Sequence, residues 1–471
     1  MADYTVNINP NEIRTESFDG WGCSLCWWAN QFGDGENADT LADICFSTNS
    51  VLWQGENLPG LGMNIARYNI GGGGNGARIN DNTVEQVSPN MPDFKNIRGY
   101  WLNWDSDDPA SNSWNWEVDA NQRHMMLMAL NRGVNLVEFF SNSPMWWMCY
   151  NHSTAGGSWG GNNLQDWNYN QFAKYLATVV KYAHDNWGVK VNYVEPFNEP
   201  SAIWWSYPKE QEGCHFDVGI QKEVIKYLRE ELDNRAQQSV GITASDENSM
   251  DSALSVWNAF NQDTRNKVAK VNVHGYDGIN PYRGNGRTPL RQSVGSKKLW
   301  MSEYGDGDAS GMALAETIVR DMNELKPDAW IYWQPFDWDG WGLIQSNPGD
   351  HWIGSANRKY FVFSQFSRHI KQGYRIIGSD DSNTVVAYSE RDRKLSIVTA
   401  NFNEGRKINY NLSAFGHVGG LSERWETTTN PGNVIPDEKY QAFTDTAMQD
   451  KHFEAYFYPN SVYSFEIHDV Y

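Results

Sequence analysis

Eight short apolar segments alternate with eight segments of helical periodicity between residues 18 and 371. We predict strands at residues 18–25, 62–70, 135–141, 191–197, 240–244, 271–276, 298–303 and 329–334. Regular alternation over about 350 residues is typical of an α/β fold, a (β/α)8 TIM barrel of parallel strands. An open, doubly wound sheet is the alternative. It is disfavoured because no predicted strand is followed by a GxGxxG or Walker-type phosphate loop.

The predicted helices lie between these strands. The clearest spans residues 168–187, where Asn168 would be the N-cap, Gln171 would complete a capping box and Gly188 would end the helix. Further helices are predicted at residues 38–46, 119–132, 217–236, 250–260, 288–294, 310–326 and 357–371. Long loops at 71–117 and 142–167 should enlarge the carboxyl-terminal face of the barrel, where barrel enzymes carry their active sites.

The pattern changes after about residue 372. Short alternating strands are predicted at residues 384–389, 394–402, 407–412, 422–427 and 453–467, without helical periodicity between them. This pattern indicates a β-sandwich. Residues 4–9 alternate in the same way and could pair with it. We therefore predict a catalytic barrel at residues 14–371 and a side domain built from residues 1–13 and 372–471.

Composition excludes some classes of partner. The net charge is −20, which argues against nucleic acid and anionic membranes because both require basic surfaces. The chain contains 23 Trp and 14% aromatic residues, and such residues either pack in cores or stack on sugar rings. Ten scattered histidines with no HxH or HExxH spacing give no sign of a metal site, and we expect no cofactor.

Five cysteines are too few and too irregular for a disulfide framework, although one or two bridges remain open. Cys23 and Cys26 have metal-site spacing, but in a strand they would point to opposite faces, so we expect buried thiols. The N-terminus lacks a signal-peptide pattern, and no segment has the roughly 18 apolar residues of a membrane span. We expect a secreted monomer whose signal peptide has already been removed.

Two glutamates stand at the carboxyl ends of predicted strands. Glu199 follows the fourth strand in the sequence Asn198-Glu199-Pro200, and Glu303 ends the seventh. Parallel strands present such side chains to one pocket, and glycoside cleavage requires a pair of carboxyl groups. Glu199 suits the acid/base role, whereas Glu303 would be a nucleophile kept ionised by Arg67 or Tyr276. The alternative is that each glutamate is an ordinary exposed acid or an arginine partner.

The motifs around these residues resemble glycoside hydrolase family 30. They are Phe18-Asp19-Gly20-Trp21-Gly22, Arg67-Tyr68-Asn69-Ile70-Gly71-Gly72, Asn198-Glu199-Pro200, Ser302-Glu303-Tyr304-Gly305 and Tyr458-Pro459-Asn460-Ser461-Val462. The resemblance covers nearly the whole chain and implies a retaining mechanism, with Glu199 as acid/base and Glu303 as nucleophile. It also implies substrate-binding roles for Arg67, His274, Tyr276 and Trp333, and Asn198 can hold a sugar hydroxyl.

The segment from Trp21 to Ala29 resembles the endo-β-1,6-galactanase branch of the family, in which Thr is frequent at the position of Cys23. The resemblance therefore implies a polysaccharide substrate, β-1,6-linked galactan. A β-1,6-glucanase, a xylanase and a non-catalytic carbohydrate-binding barrel remain alternatives. Trp146 and Trp204, each beside a second Trp on a strand-end loop, could be stacking platforms for sugars or could pack within their loops.

Overall fold

Eight parallel strands form a closed barrel in the computed structural model, which describes residues 2–279 and 285–471. In chain order these barrel strands one to eight are Gly20–Ser24, Ile65–Asn69, Leu136–Phe140, Tyr193–Glu195, Gly241–Glu247, Val268–His274, Lys298–Tyr304 and Ala329–Tyr332. Each pairs with the next, and strand eight pairs with strand one, Ala329 opposite Gly20. The predicted barrel is therefore confirmed, and the open doubly wound sheet is wrong.

The helices pack around the barrel. They are Trp28–Phe32, Ala38–Phe46, Ala120–Leu130, Tyr169–Trp187, Val218–Asn234, Met250–Ala259, Gln262–Lys267, Arg287–Val294, Met312–Arg320 and Arg358–Ser367. Met312–Arg320 continues as a π-helical turn, Asp321–Leu325, and single 3-10 turns lie at Asp93–Lys95, Trp146–Met148, Ser158–Gly160, Asp166–Asn168 and Pro348–Asp350. The predicted helices are present, with ends that differ by a few residues because capping, rather than periodicity, sets the last turn.

Helix Tyr169–Trp187 tests the residues predicted to begin and end a helix. Gly188 ends it in the left-handed conformation (φ 67°), and its amide donates to the carbonyl of Ala183, as predicted. Asn168 occupies the predicted N-cap position, but its side chain makes no capping hydrogen bond. Its side chain instead donates to Oε1 of Gln165 at 2.6 Å, because the preceding turn already orders the chain there.

Short strands extend the loops beyond the predicted elements. Hairpins are formed by Ser50–Trp53 with Glu56–Pro59 and by Arg78–Asn80 with Thr83–Val84. A three-stranded sheet of Phe336–Asp337, Ile344–Asn347 and Trp352–Ala356 follows barrel strand eight. Segments of two to five residues are too short to establish a recognisable alternation, so sequence periodicity misses them.

The side domain is a β-sandwich whose two sheets share the N-terminal strand. Its strands are Tyr4–Thr15, Arg375–Ser379, Thr384–Ser389, Lys394–Asn401, Arg406–Asn411, Leu421–Thr428, Lys439–Phe443, His452–Phe457 and Ser461–Ile467. Residues 4–7 pair parallel with Arg406–Asn411, and residues 8–15 pair antiparallel with Arg375–Ser379. A register shift between Asn9 and Ile13, at Pro10, lets one strand serve both sheets.

The predicted segment 453–467 forms two strands rather than one, separated by a turn at residues 458–460. Asn460 has a positive φ of 51°, a conformation that asparagine tolerates better than most residues and that reverses the chain.

All five cysteines are buried and free. Burial raises the pKa of the Cys23 thiol, which lies on barrel strand one, so this thiol is protonated at neutral pH. The expected buried thiols are thus present. Across residues 2–279 and 285–471, no helix is both long enough and apolar enough to cross a bilayer.

Glu466 links the sandwich to the last barrel helix. Nδ1 of His369, just beyond helix Arg358–Ser367, lies 2.8 Å from its Oε1, and Nζ of Lys394 lies 2.6 Å from its Oε2. Burial opposes ionisation of this carboxyl group. The hydrogen bond and charge of His369 and the charge of Lys394 outweigh burial and lower the pKa of Glu466 to about 2.

We expect Glu466→Gln to lower the free energy of unfolding by about 3 kcal/mol near pH 6 and to have little effect near pH 2. The folded-state pKa lies below that of the unfolded chain. The carboxylate therefore stabilises the fold above the unfolded pKa, and this contribution is lost as the pH falls through about 2. Urea unfolding of both proteins between pH 2 and pH 7 measures the difference. Glu390→Gln, at a side chain 80% exposed, is the control, and a difference independent of pH would contradict the assignment.

Candidate active site

A cavity of about 350 Å³ opens at the carboxyl-terminal end of the barrel. Residues from several strand ends and loops line it: Trp27, Asn142, Asn198, Glu199, Trp204, Trp205, Lys209, Glu210, Gln211, Asn248, Tyr276, Glu303, Trp333 and Trp341. This is the face on which TIM barrels carry their catalytic groups. Both predicted catalytic glutamates lie in this one cavity.

Glu199 is held in a constrained position beyond barrel strand four. Its φ is 47°, which is unfavourable for a residue with a side chain, and its amide donates to the carbonyl of Asp246 at 2.8 Å. Its Oε1 accepts a hydrogen bond of 2.8 Å from Nδ2 of Asn248. The residue is only 7% exposed, so neighbouring groups rather than bulk water determine the orientation of its side chain.

Glu303 lies in barrel strand seven and faces Glu199. The hydroxyl of Tyr276 donates to its Oε1 at 2.8 Å, and Nη1 of Arg67 lies 3.6 Å from its Oε2. The structure thus places both predicted neighbours beside Glu303, where the charge of Arg67 and the hydrogen bond from Tyr276 favour the ionised form. Burial nevertheless raises the pKa of Glu303 to about 7, against the opposing charges of His274 and Arg67. Burial of Glu303 therefore opposes its ionisation, whereas the neighbouring cationic groups favour it.

His274, at the end of barrel strand six, lies between the two glutamates. Its Nδ1 is 3.0 Å from Oε1 of Glu199 and 3.5 Å from Oε1 of Glu303. One ligand atom from each of the three residues lies within 4.8 Å of the other two. Retaining glycosidases hold their carboxyl groups about 5 to 5.5 Å apart, whereas inverting enzymes need a wider gap for a water molecule. The spacing therefore fits the retaining arrangement.

Glu199, His274 and Glu303 are also spaced like the ligands of a metal ion, the one such group found within residues 2–279 and 285–471. Burial disfavours the imidazolium, but the negative charges of Glu303 and Asp246 outweigh it and raise the pKa of His274 well above its usual value. A metal ion would have to displace a proton from this imidazole, so the raised pKa of His274 opposes metal binding at this group.

Asp246 connects the groups around the cavity from below. It forms a buried ion pair with Arg67, and its Oδ1 lies 3.3 Å from Nε2 of His274. Arg67 also donates from Nε to Oε1 of Glu138 at 2.8 Å and from Nη1 to the carbonyl of Ser302 at 3.1 Å. These contacts hold the guanidinium group beneath Glu303, where Arg67 is fully buried.

A second polar layer fills the barrel below Arg67. Nζ of Lys270 lies 2.7 Å from Oε2 of Glu138, and Thr243 donates to Oε2 of Glu195 at 3.0 Å. Asn272 donates from Nδ2 to Oε1 of Glu138 at 2.9 Å. All five side chains are fully buried. Charged groups so deep in a core persist only when each has partners, and these partners come from four different barrel strands, three to six.

Of the remaining predicted site residues, three line the cavity and one does not. Asn198, Trp204 and Trp333 line the cavity, and Trp333 meets Trp27 edge to face with ring centroids 5.2 Å apart. Trp146 does not line it. This indole is 1% exposed and packs against the backbone of Gly74, so the structure places it in loop packing instead.

Sequence reasoning missed several residues of the site. Asp246 and Asn248 come two and four residues after the predicted strand 240–244, so the rule that directed attention to Glu199 would also have found them. Trp27, Lys209 and Trp341 come from irregular loops. No periodicity places such residues, since loop conformation depends on tertiary contacts.

A TIM barrel with two carboxyl groups that approach within 4.8 Å at its carboxyl-terminal face has the architecture of a retaining glycoside hydrolase. The profile of O-glycosyl hydrolase family 30 matches residues 3–273. The chain is also 44% identical, over its full length and 95% of the relative, to an endo-beta-1,6-galactanase of Hypocrea rufa. This chain belongs to glycoside hydrolase family 30.

Two more distant proteins are similar. An exo-beta-1,6-galactobiohydrolase of Bifidobacterium longum subsp. longum is 26% identical over 70% of this chain and 27% of that protein. The crystal structure of a conserved exported protein from Bacteroides fragilis superposes with a TM-score of 0.81 over 98% of this chain and all of that one. Its 18% sequence identity supports the shared fold and no more.

Proposed function

We propose that this chain is a retaining endo-β-1,6-galactanase in which Glu303 is the nucleophile and Glu199 the acid/base. The proposal rests on the buried pair of glutamates, whose oxygens lie within 4.8 Å of each other and of a ring nitrogen of His274. The chain is also similar over its whole length to an endo-beta-1,6-galactanase. The substrate is a neutral polysaccharide, in keeping with a cavity walled by tryptophans and the net charge of −20.

In the first step, a carboxylate oxygen of Glu303 attacks the anomeric carbon and the glycosidic bond breaks. Glu199 donates its proton to the departing oxygen. Oε1 of Glu199 contacts Asn248 and His274, which leaves Oε2 to carry this proton. In the second step, Glu199 removes a proton from water as the water attacks the glycosyl ester, and the ionised form of Glu303 is restored.

Arg67 and Tyr276 orient Glu303 and favour its carboxylate form, whereas His274 lies within reach of both glutamates. As Glu303 loses charge to the glycosyl bond and Glu199 loses its proton, the negative charge moves from one glutamate to the other. His274 contacts both carboxylates, so it stabilises the charge at either end of the transfer.

Digestion of a panel of polysaccharides tests the substrate. With β-1,6-galactan, β-1,3-galactan, β-1,6-glucan and glucuronoxylan as substrates, we expect activity on β-1,6-galactan alone. Oligosaccharides of mixed length should appear first in sizing gels, with the β-anomer first in early NMR spectra. Galactobiose as the sole early product would indicate exo action, and activity on glucan or xylan alone would overturn the galactan assignment while leaving the glutamate pair intact.

Three further features belong to the same proposal. Residues 14–371 form the catalytic barrel, and residues 1–13 with 372–471 form the side domain. The protein acts as a monomer. It is secreted, since a polysaccharide too large to enter a cell must be cut outside it.

A further inference from the structure

One tryptophan on the catalytic face is almost entirely exposed. Trp159, in the loop after barrel strand three, has 95% of its surface in contact with solvent. Its φ is 56°, a conformation that is rare for bulky side chains and costs about 1 kcal/mol or more. Neither the exposure nor the backbone conformation contributes to packing, which suggests that the indole is displayed for a contact with another molecule.

The loop that carries Trp159 is joined to the loop that follows Glu199. The amide of Gly157 donates to the carbonyl of Trp205 at 3.1 Å, and the amide of Tyr207 donates back to Gly157 at 3.0 Å. Gly160 lies so close to Ile203 that a Cβ atom there would be 2.0 Å from the carbonyl oxygen of Ile203. The residue after Trp159 therefore touches the residue before Trp204.

This backbone contact brings three exposed apolar residues together at the rim of the cavity. Ile203 is 75% exposed and Trp204 is 43% exposed, and Trp204 also lines the cavity beside Glu199. We call Trp159, Ile203 and Trp204 the aromatic ledge. Isolated exposed apolar residues need no explanation, but three together at the rim of an active site form a contact surface.

We propose that the aromatic ledge is a distal subsite that binds the leaving-group half of the galactan chain. The subsite rests on the proposed function. Galactose suits such a surface, because its axial hydroxyl at C4 leaves the C–H groups of C3, C4 and C5 on one face, which can stack on an indole. Glu199 protonates the leaving oxygen, so the loop that continues from it lies beside the part of the chain that departs.

Kinetics of Trp159→Ala test this subsite. We compare kcat/KM for long β-1,6-galactan with kcat/KM for a nitrophenyl β-1,6-galactobioside, in which the leaving group contains no sugar. The ratio of the two should fall about threefold to tenfold, as expected for the loss of one stacking contact. Tyr456→Ala, which removes an aromatic side chain 52% exposed on the sandwich, is the matched control and should leave the ratio unchanged.

Trp159→Gly separates binding from folding, because glycine adopts the positive φ without strain. It should lower the ratio as Trp159→Ala does while the melting temperature stays the same or rises. An unchanged ratio in both variants, with wild-type protein active on galactan, would overturn the ledge alone, as would an equal loss on both substrates. Wild-type protein without activity on galactan would instead overturn the proposed function.

Discussion

Glu303→Gln should reduce turnover of β-1,6-galactan by about four orders of magnitude or more, with the fold intact. Glutamine has the same shape and can still accept the hydrogen bond from Tyr276. It cannot form the glycosyl ester, because the amide is a poor nucleophile at neutral pH. The loss should be in kcat, since the side chain acts on the reacting carbon. Initial rates with high enzyme concentrations, together with a melting curve, measure both quantities.

Glu230→Gln is the matched control for this variant. Glu230 is exposed on helix Val218–Asn234, outside the barrel, and its replacement should leave kcat unchanged. Retention by Glu303→Gln of more than about one hundredth of the wild-type rate, after removal of contaminating wild-type protein, would sink the nucleophile assignment.

Glu199→Gln should have an effect that depends on the leaving group. Cleavage of galactan should fall by about two to four orders of magnitude, because a sugar alkoxide leaves poorly without a proton. Formation of the glycosyl-enzyme from an activated aryl galactoside should be largely spared, because a nitrophenolate needs no proton. The second step then becomes limiting, since no base activates water. A burst of nitrophenol followed by slow steady turnover is expected.

Azide provides the decisive test of that assignment. A small anionic nucleophile that needs no general base can replace water in the second step, so azide should restore turnover of the aryl substrate and yield the β-galactosyl azide. The same addition should have no effect on Glu303→Gln, which forms no intermediate. Equal losses on every substrate, without rescue, would show that Glu199 supports the structure rather than transferring the proton.

The barrel was predictable because its two periodicities are strong. Buried parallel strands form short apolar runs, the surrounding helices repeat every 3.6 residues, and both signals recur eight times. The position of Glu199 and Glu303 followed from topology, since all eight strands end on one face. Helix ends were less certain because they depend on single contacts. Asn168 illustrates this, as its side chain binds Gln165 rather than the helix amides.

What sequence could not reveal was the network that links distant positions. Asp246 and Arg67 are 179 residues apart, and nothing local to either residue shows that they form an ion pair. Trp146 and Trp159 illustrate the same limit. Both are tryptophans on the loop after barrel strand three, yet one is 1% exposed and the other 95%. Composition favours sugar stacking for both, and only the path of the loop distinguishes them.

The buried polar layer under the cavity restricts how this scaffold can be re-engineered. The side chains that support the two glutamates are distributed over barrel strands two, three, five and six. They are Arg67, Glu138, Thr243, Lys270 and His274. Exchange of the loops for those of another enzyme would alter which glycan is accepted and would leave these supporting side chains in place. Transfer of the two glutamates alone to an apolar barrel would fail, because Glu303 would lose its contact with Arg67 and Glu199 its contact with His274. For enzyme design, the two glutamates should therefore be transferred together with the polar side chains inside the barrel, whereas the loops can be exchanged.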